Sequence, residues 1–139
     1  MQALHDEGRT RFIGVSNVTP DQLAALLRRP GVRPTFVQNR CYASLGWDAA
    51  VRAICDREGL AYQGFSLLTA NQKTMRGRVV RDIARRHQRT PAQVVFRFAH
   101  QLGMIPLTGT TDSRHMAEDL AVYGFELTAA EMQAIQGVG

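Results

Sequence analysis

The sequence predicts an α/β fold built on parallel strands. Three observations carry this: a short apolar run followed by an amphipathic helical stretch occurs four times, the connections between them are short, and no hairpin turn signal joins neighbouring runs. With 139 residues, 45% of them hydrophobic and 21% charged, the chain is long enough for one compact domain with a real core, expected to span residues 1–139.

The first run is RFIGVSN at 11–17, followed by Thr19, Pro20 and Asp21. A hydroxyl cap, a proline at the first helical position and an early carboxylate all suit a helix start. The second run, TFVQNR at 35–40, leads to a helix predicted from Trp47 to Glu58, with Val51, Ile54 and Cys55 on one face and Gly59 ending it. The third, AYQGFSLLT at 61–69, precedes a long helical segment over about 75–102 that Thr90-Pro91 divides in two. The fourth, GMIPLTGT at 103–110, precedes a helix starting near Asp112 or Ser113, and a last helix follows Thr128, where TAAE fits a capping box.

Parallel strands joined by helical crossovers fit either an open doubly wound sheet or a closed barrel. No GxGxxG fingerprint follows the first run, which removes the usual mark of a dinucleotide-binding open sheet. The runs end instead in hydrogen-bonding groups: Ser16-Asn17, Gln38-Asn39, Ser66 and Thr108-Gly109-Thr110. Any one of these suits an ordinary turn. Four in succession at strand C-terminal ends match the ligand-binding face of a (β/α)8 TIM-type barrel. The expected architecture is half of such a barrel, four βα units plus a C-terminal helix.

The net charge of +5 comes from many arginines and one lysine, Lys73. The densest basic stretch, KTMRGRVVRDIARRHQR, places Arg78, Arg81 and Arg85 at helical spacing opposite Val79, Ile83 and Ala84. Without aromatic stacking residues or a helix-turn-helix pattern this reads as a solvated outer face, and no nucleic-acid partner is expected. Cys41 and Cys55 are too far apart for a CxxC pair, and His5, His87, His100 and His115 lack ligand spacing, so no metal is assigned. No apolar run reaches the roughly 18 to 20 residues of a membrane span, and MQALHDEGRT lacks the basic and apolar regions of a signal peptide. A cytoplasmic protein with no membrane partner is expected.

The motifs GRTRFIGVSN, FVQNRCY, YQGFSLL, RTPAQVVFRFAHQLGMIP, GTTDSRHMAEDL and YGFELTAAEM, in this order and spacing, resemble the aldo/keto reductase family along essentially the whole chain. The resemblance implies strands five to eight of the barrel and a nicotinamide cofactor. It implies that Ser16, Asn17 and Gln38 hydrogen-bond the nicotinamide carboxamide and that Phe65 stacks on the ring where the family often has tyrosine. It places Ser66 and Leu68 in the loop that passes the pyrophosphate, and Gly109, Thr110, His115, Glu118 and Asp119 at the adenosine end.

Departures from the family pattern cluster at that adenosine end. Gly109, Thr110 and His115 stand where lysine, serine and arginine often surround the 2′-phosphate, and Asp119 stands where asparagine often reads adenine. Arg114 is placed to compensate, as are the amides of a helix N-terminus at 112–115. NADP(H) in preference to NAD(H) is therefore the expectation from the family.

The family reduces aldehydes or ketones, with a tyrosine proton donor tuned by lysine, aspartate and histidine from the other half of the barrel. No motif places Lys73 beside Tyr42, Tyr62 or Tyr123, so no catalytic residue is assigned in this chain. Taken alone, the chain is expected to be inactive, a cofactor-binding half that meets the N-terminal half or a second copy of itself. A non-enzymatic nucleotide-binding or regulatory subunit and a self-associating half-barrel are the alternative readings.

Overall fold

In the computed structural model, residues 1–138 are described. After a short helix α1 (Gln2–Asp6), four strands alternate with helices: β1 (Gly14–Ser16), α2 (Pro20–Leu27), β2 (Phe36–Arg40), α3 (Ala49–Glu58), β3 (Ala61–Phe65), α4 (Gln72–Arg76), α5 (Arg78–His87), α6 (Pro91–Gln101), β4 (Ile105–Pro106), α7 (Ser113–Leu120) and α8 (Ala129–Gln136). The strands form one sheet in the order β1-β2-β3-β4, all neighbours parallel. This is the α/β half-barrel that the alternation predicts.

The helix starts follow the sequence closely. Thr19, Thr90 and Thr128 each accept from the backbone N–H three residues on, and Gln22, Gln93 and Glu131 each reach back to accept from the cap residue's N–H. All three are complete capping boxes, each satisfying two otherwise orphaned amides. Gly59, at φ 68°, ends α3 in the left-handed conformation glycine adopts without a Cβ penalty.

Strand bounds are shorter than the apolar runs, because the backbone turns over at their ends. Asn17 and Ser66, both at φ 55°, end β1 and β3 in left-handed conformations. Helix α3 starts at Ala49 rather than Trp47, since Trp47 (φ 57°) and Asp48 (φ 55°) are also left-handed and close a 3-10 segment, Ala43–Asp48. Packing holds this turn: the fully buried Trp47 ring lies 4.8 Å, centroid to centroid, from Phe98, and its indole N–H donates to the Ile135 carbonyl at 3.3 Å.

The core lies between the helices and one face of the sheet. Val37, Asn39 and Cys41 from β2 and its extension, and Tyr62 and Gly64 from β3, point into it with Leu23, Val51, Cys55, Val94 and Phe98. Burial among apolar groups, with the Asp48 carboxylate nearby, pushes the Cys41 thiol up to about 11, which keeps it protonated and unreactive at neutral pH. Alternation sends Gly14, Ser16, Phe36, Gln38, Arg40, Ala61, Gln63, Phe65 and Ile105 to the opposite face, where none is buried. The basic stretch forms α5 with Val80, Ile83 and Ala84 inward and Arg78, Arg81 and Arg85 exposed. Among the described residues no helix is long and apolar enough to cross a membrane.

Candidate functional site

Ser16, Gln38 and Gln63 occupy one row across three strands, since Ser16 pairs in register with Gln38 and Gln38 with Gln63. Parallel pairing in register puts all three on the uncovered face. Gln38 Nε2 donates to Gln63 Oε1 at 3.1 Å, which leaves the Gln38 carbonyl oxygen to accept from elsewhere. Asn17 follows Ser16 at the turn, where its backbone N–H donates to the main-chain carbonyl of Gln38 at 3.0 Å while its side chain stays exposed. Phe65 ends β3 on the same face, with the Arg40 guanidinium 5.7 Å from its ring centroid. The four residues expected at the nicotinamide end, Ser16, Asn17, Gln38 and Phe65, are thus brought together at adjacent strand ends.

Asn39, though next to Gln38 in the polar end of β2, faces the other way. Its Nδ2 donates to the Val18 carbonyl and to Asp48 Oδ2, both at 2.8 Å, and its Oδ1 accepts from Val18 N–H at 3.0 Å. It clips the β1–α2 loop and the Trp47–Asp48 turn to the sheet. Asp48 Oδ2 also accepts from the Tyr62 hydroxyl at 2.7 Å. Buried beside Cys41 and this carboxylate, the Tyr62 phenol is held far above its ordinary range, so it stays protonated.

The remaining expected residues line two adjoining cavities along the strand ends. A smaller one, about 220 Å³, is bordered by Ser66, Leu68, Phe96, Thr108 and Gly109. The larger, about 570 Å³, takes in Leu68, Thr108, Gly109, Thr110, His115, Glu118 and Asp119, together with Met75, Arg76 and Arg114. Shared borders at Leu68, Thr108 and Gly109 make them one groove. Its larger part falls within the range of small-molecule sites. Asp119 Oδ2 accepts from the Thr108 hydroxyl at 2.9 Å, tying α7 to the end of β4.

Two features of the groove depart from the sequence reading. The amides at the start of α7 are already engaged: Asp112 Oδ1 accepts from Arg114 N–H at 2.8 Å and from His115 N–H at 3.2 Å, and Asp112 N–H donates to Thr110 Oγ1 at 3.1 Å. A carboxylate cap thus already engages two of the amides at this helix end. Arg76, on the short α4, borders the groove although the basic stretch that contains it reads as a solvated outer face. Only the three-dimensional return of α4 over the start of α6 brings it there.

The model of the aldo/keto reductase family matches residues 1–139. The chain belongs to the aldo/keto reductase family. It is 33% identical over 133 residues to 2,5-diketo-D-gluconic acid reductase B of Corynebacterium sp. (strain SHS752001), covering 96% of this chain and 48% of that protein. It is 34% identical over 148 residues to a probable NAD(P)H-dependent D-xylose reductase, xyl1, of Emericella nidulans, with 97% and 46% covered. Among solved structures, the apo form of Gox0644 superposes with a TM-score of 0.87 at 31% identity, covering 96% of this chain and 49% of that one. A Gox0644 mutant in complex with NADPH superposes equally well. A metagenomic aldo-keto reductase, MGS-M4, has the same fold, with a TM-score of 0.90 at 20% identity. The chain spans about half the length of the curated relatives it matches.

None of the three tyrosines opens into the groove. Tyr62 is buried against Asp48, Tyr42 Oη accepts from Arg40 Nη1 at 3.5 Å, and Tyr123 packs edge-on against His100 at 5.0 Å. Lys73 borders a different cavity, with Ser44, Asn71 and Arg78.

Proposed function

We propose that this chain supplies the cofactor-holding half of an NAD(P)H-dependent carbonyl reductase, with NADP(H) preferred and an aldehyde or ketone as substrate. The observation that carries the reading is the row Ser16–Gln38–Gln63 with Asn17 and Phe65 at its end, opening beside the groove that runs to Asp119. A planar primary amide needs both an acceptor and a donor in one plane; the Gln38 oxygen and the Ser16 and Asn17 side chains offer both. The Phe65 ring offers a flat apolar face beside them.

The nicotinamide supplies a hydride when bound. Ser16, Asn17 and Gln38 fix which face of its ring meets the substrate, a positioning step of the kind that converts random encounter into oriented approach. Ser66 and Leu68 border the passage for the pyrophosphate, and Gly109, Thr110, His115, Glu118 and Asp119 surround the adenosine.

The proton donor to the carbonyl oxygen comes, on this reading, from the strands that complete the barrel. Those strands add to the open edges β1 and β4, supplied by an N-terminal half or by a second copy. A binding-only role, in which the completing strands bring no proton donor to the groove, is the second reading; the three tyrosines of this chain lie away from it and supply none.

Carbonyl reduction by the completed barrel, followed as NADPH consumption, tests the assignment. Mixing the chain with separately made first-half strands of a relative should give aldehyde-dependent turnover that Gln38→Ala lowers. Cofactor binding without turnover in a folded complex would favour the binding-only reading, and an unchanged Gln38→Ala enzyme would contradict the site.

A further inference from the structure

The larger part of the groove is lined by two exposed arginines from different helices, one of them, Arg114, with its Nη2 3.4 Å from His115 Nε2. Arg114 comes from the first turn of α7 and Arg76 from the last turn of α4, and the start of α6 at Thr90, Pro91 and Ala92 lines the cavity with them. Several arginines elsewhere are engaged, Arg33 with Glu58, Arg78 and Arg85 with Asp82, Arg86 with Glu131 and Arg97 with Glu126, while among the described residues others such as Arg28, Arg29 and Arg81 stand alone outside the groove. Arg76 and Arg114 enter no ion pair among the described residues, although Glu118 and Asp119 border the same cavity. Along α7, Asp119 lies five residues past Arg114, about 7.5 Å at 1.5 Å per residue. Positive charge therefore gathers at one end of α7 and negative charge at the other.

Gly109 gives no cation to this cavity, and a Cβ built there meets nothing within 4 Å. Two of the α7 amides, those of Arg114 and His115, are already engaged by Asp112. From these facts we infer that Arg76 is the residue that selects for a ribose phosphate: its guanidinium, with that of Arg114, clamps a phosphomonoester dianion at the adenosine end. The chemistry suits arginine, whose planar fork matches phosphate oxygens and stays charged at every accessible pH. Glu118 and Asp119, acceptors only when ionised, then face the exocyclic amine of the base. The inference rests on the nucleotide reading of the groove and adds to it the source of phosphate selectivity.

Calorimetric titration of the protein with adenosine 2′,5′-bisphosphate and with ADP-ribose, a nucleotide without a phosphomonoester, tests this. Arg76→Gln should lose about tenfold in affinity for the bisphosphate, as expected for one charge-assisted contact, and stay within about twofold for ADP-ribose. Arg76→Lys should fall between, since it keeps the charge and loses the fork. Gly109→Lys, entering open space, should restore bisphosphate affinity to Arg76→Gln. Equal losses for both nucleotides, or none, would overturn the role of Arg76 while leaving the groove a nucleotide site. No binding of either nucleotide by the folded wild type would overturn both readings.

Discussion

Gln38 and Gln63 stand side by side on the uncovered face of adjacent parallel strands, and the Gln38 amide N–H donates to the Gln63 carbonyl oxygen at 3.1 Å. That bond fixes which end of the Gln38 amide faces outward. Gln38→Ala should weaken NADPH binding by about three- to tenfold, the worth of one or two neutral hydrogen bonds, and leave adenosine 2′,5′-bisphosphate affinity unchanged. Asn17→Ala should do the same, with an added stability cost because Asn17 sits at φ 55°. Fluorescence titration with both ligands separates the nicotinamide end from the adenosine end.

Asp48 should matter for stability rather than for binding. Its Oδ2 receives the Tyr62 hydroxyl and the Asn39 amide, so Asp48→Ala leaves two partly buried donors without their acceptor. A loss of about 2–4 kcal/mol in urea unfolding is expected. The double change with Tyr62→Phe should recover part of it, because one orphaned donor is removed along with its acceptor.

Glu131 sets an acid limit. Burial alone pushes its carboxyl up, but the Thr128 amide, His87 and Arg86 together outweigh this and hold it at about 2. A folded value below the unfolded one means the carboxylate stabilises the fold above pH about 4.5 and that this stabilisation is lost as pH falls toward 2. Glu131→Gln should lower stability at neutral pH and flatten its decline between these limits. Thermal unfolding across that range measures both effects.

The open edges predict self-association. β1 and β4 each have a strand neighbour on one side only, and Phe12 and Ile105 are 54% and 43% exposed. Exposed parallel edges with apolar neighbours favour pairing with another chain. Light scattering on the isolated chain should give at least twice the monomer mass of 15.4 kDa; a stable monomer at high concentration would contradict this.

The alternation of strands and helices, the helix caps at Thr19, Thr90 and Thr128 and the outward face of α5 were all legible in the sequence, because each rests on local spacing. What could not be read is what depends on the third dimension. Gln38 and Asn39 look equivalent as a polar strand end, yet period-2 alternation sends one to the open face and the other to clip a loop. The Asp112 side chain takes two of the amides at the start of α7, and Arg76 borders the groove although the basic stretch that contains it reads as a solvated outer face. The positive φ of Trp47 and Asp48 shortened a helix that the apolar periodicity extended, because tertiary packing overrides local preference.

Hydrogen exchange with and without saturating NADPH tests the central claim, that the strand ends and the adjoining groove hold the cofactor. Protection is expected at Ser16–Asn17, at Ser66–Leu68 and across Thr108–Asp119. Saturable binding that leaves those segments unprotected, or protects the protein elsewhere, would contradict it.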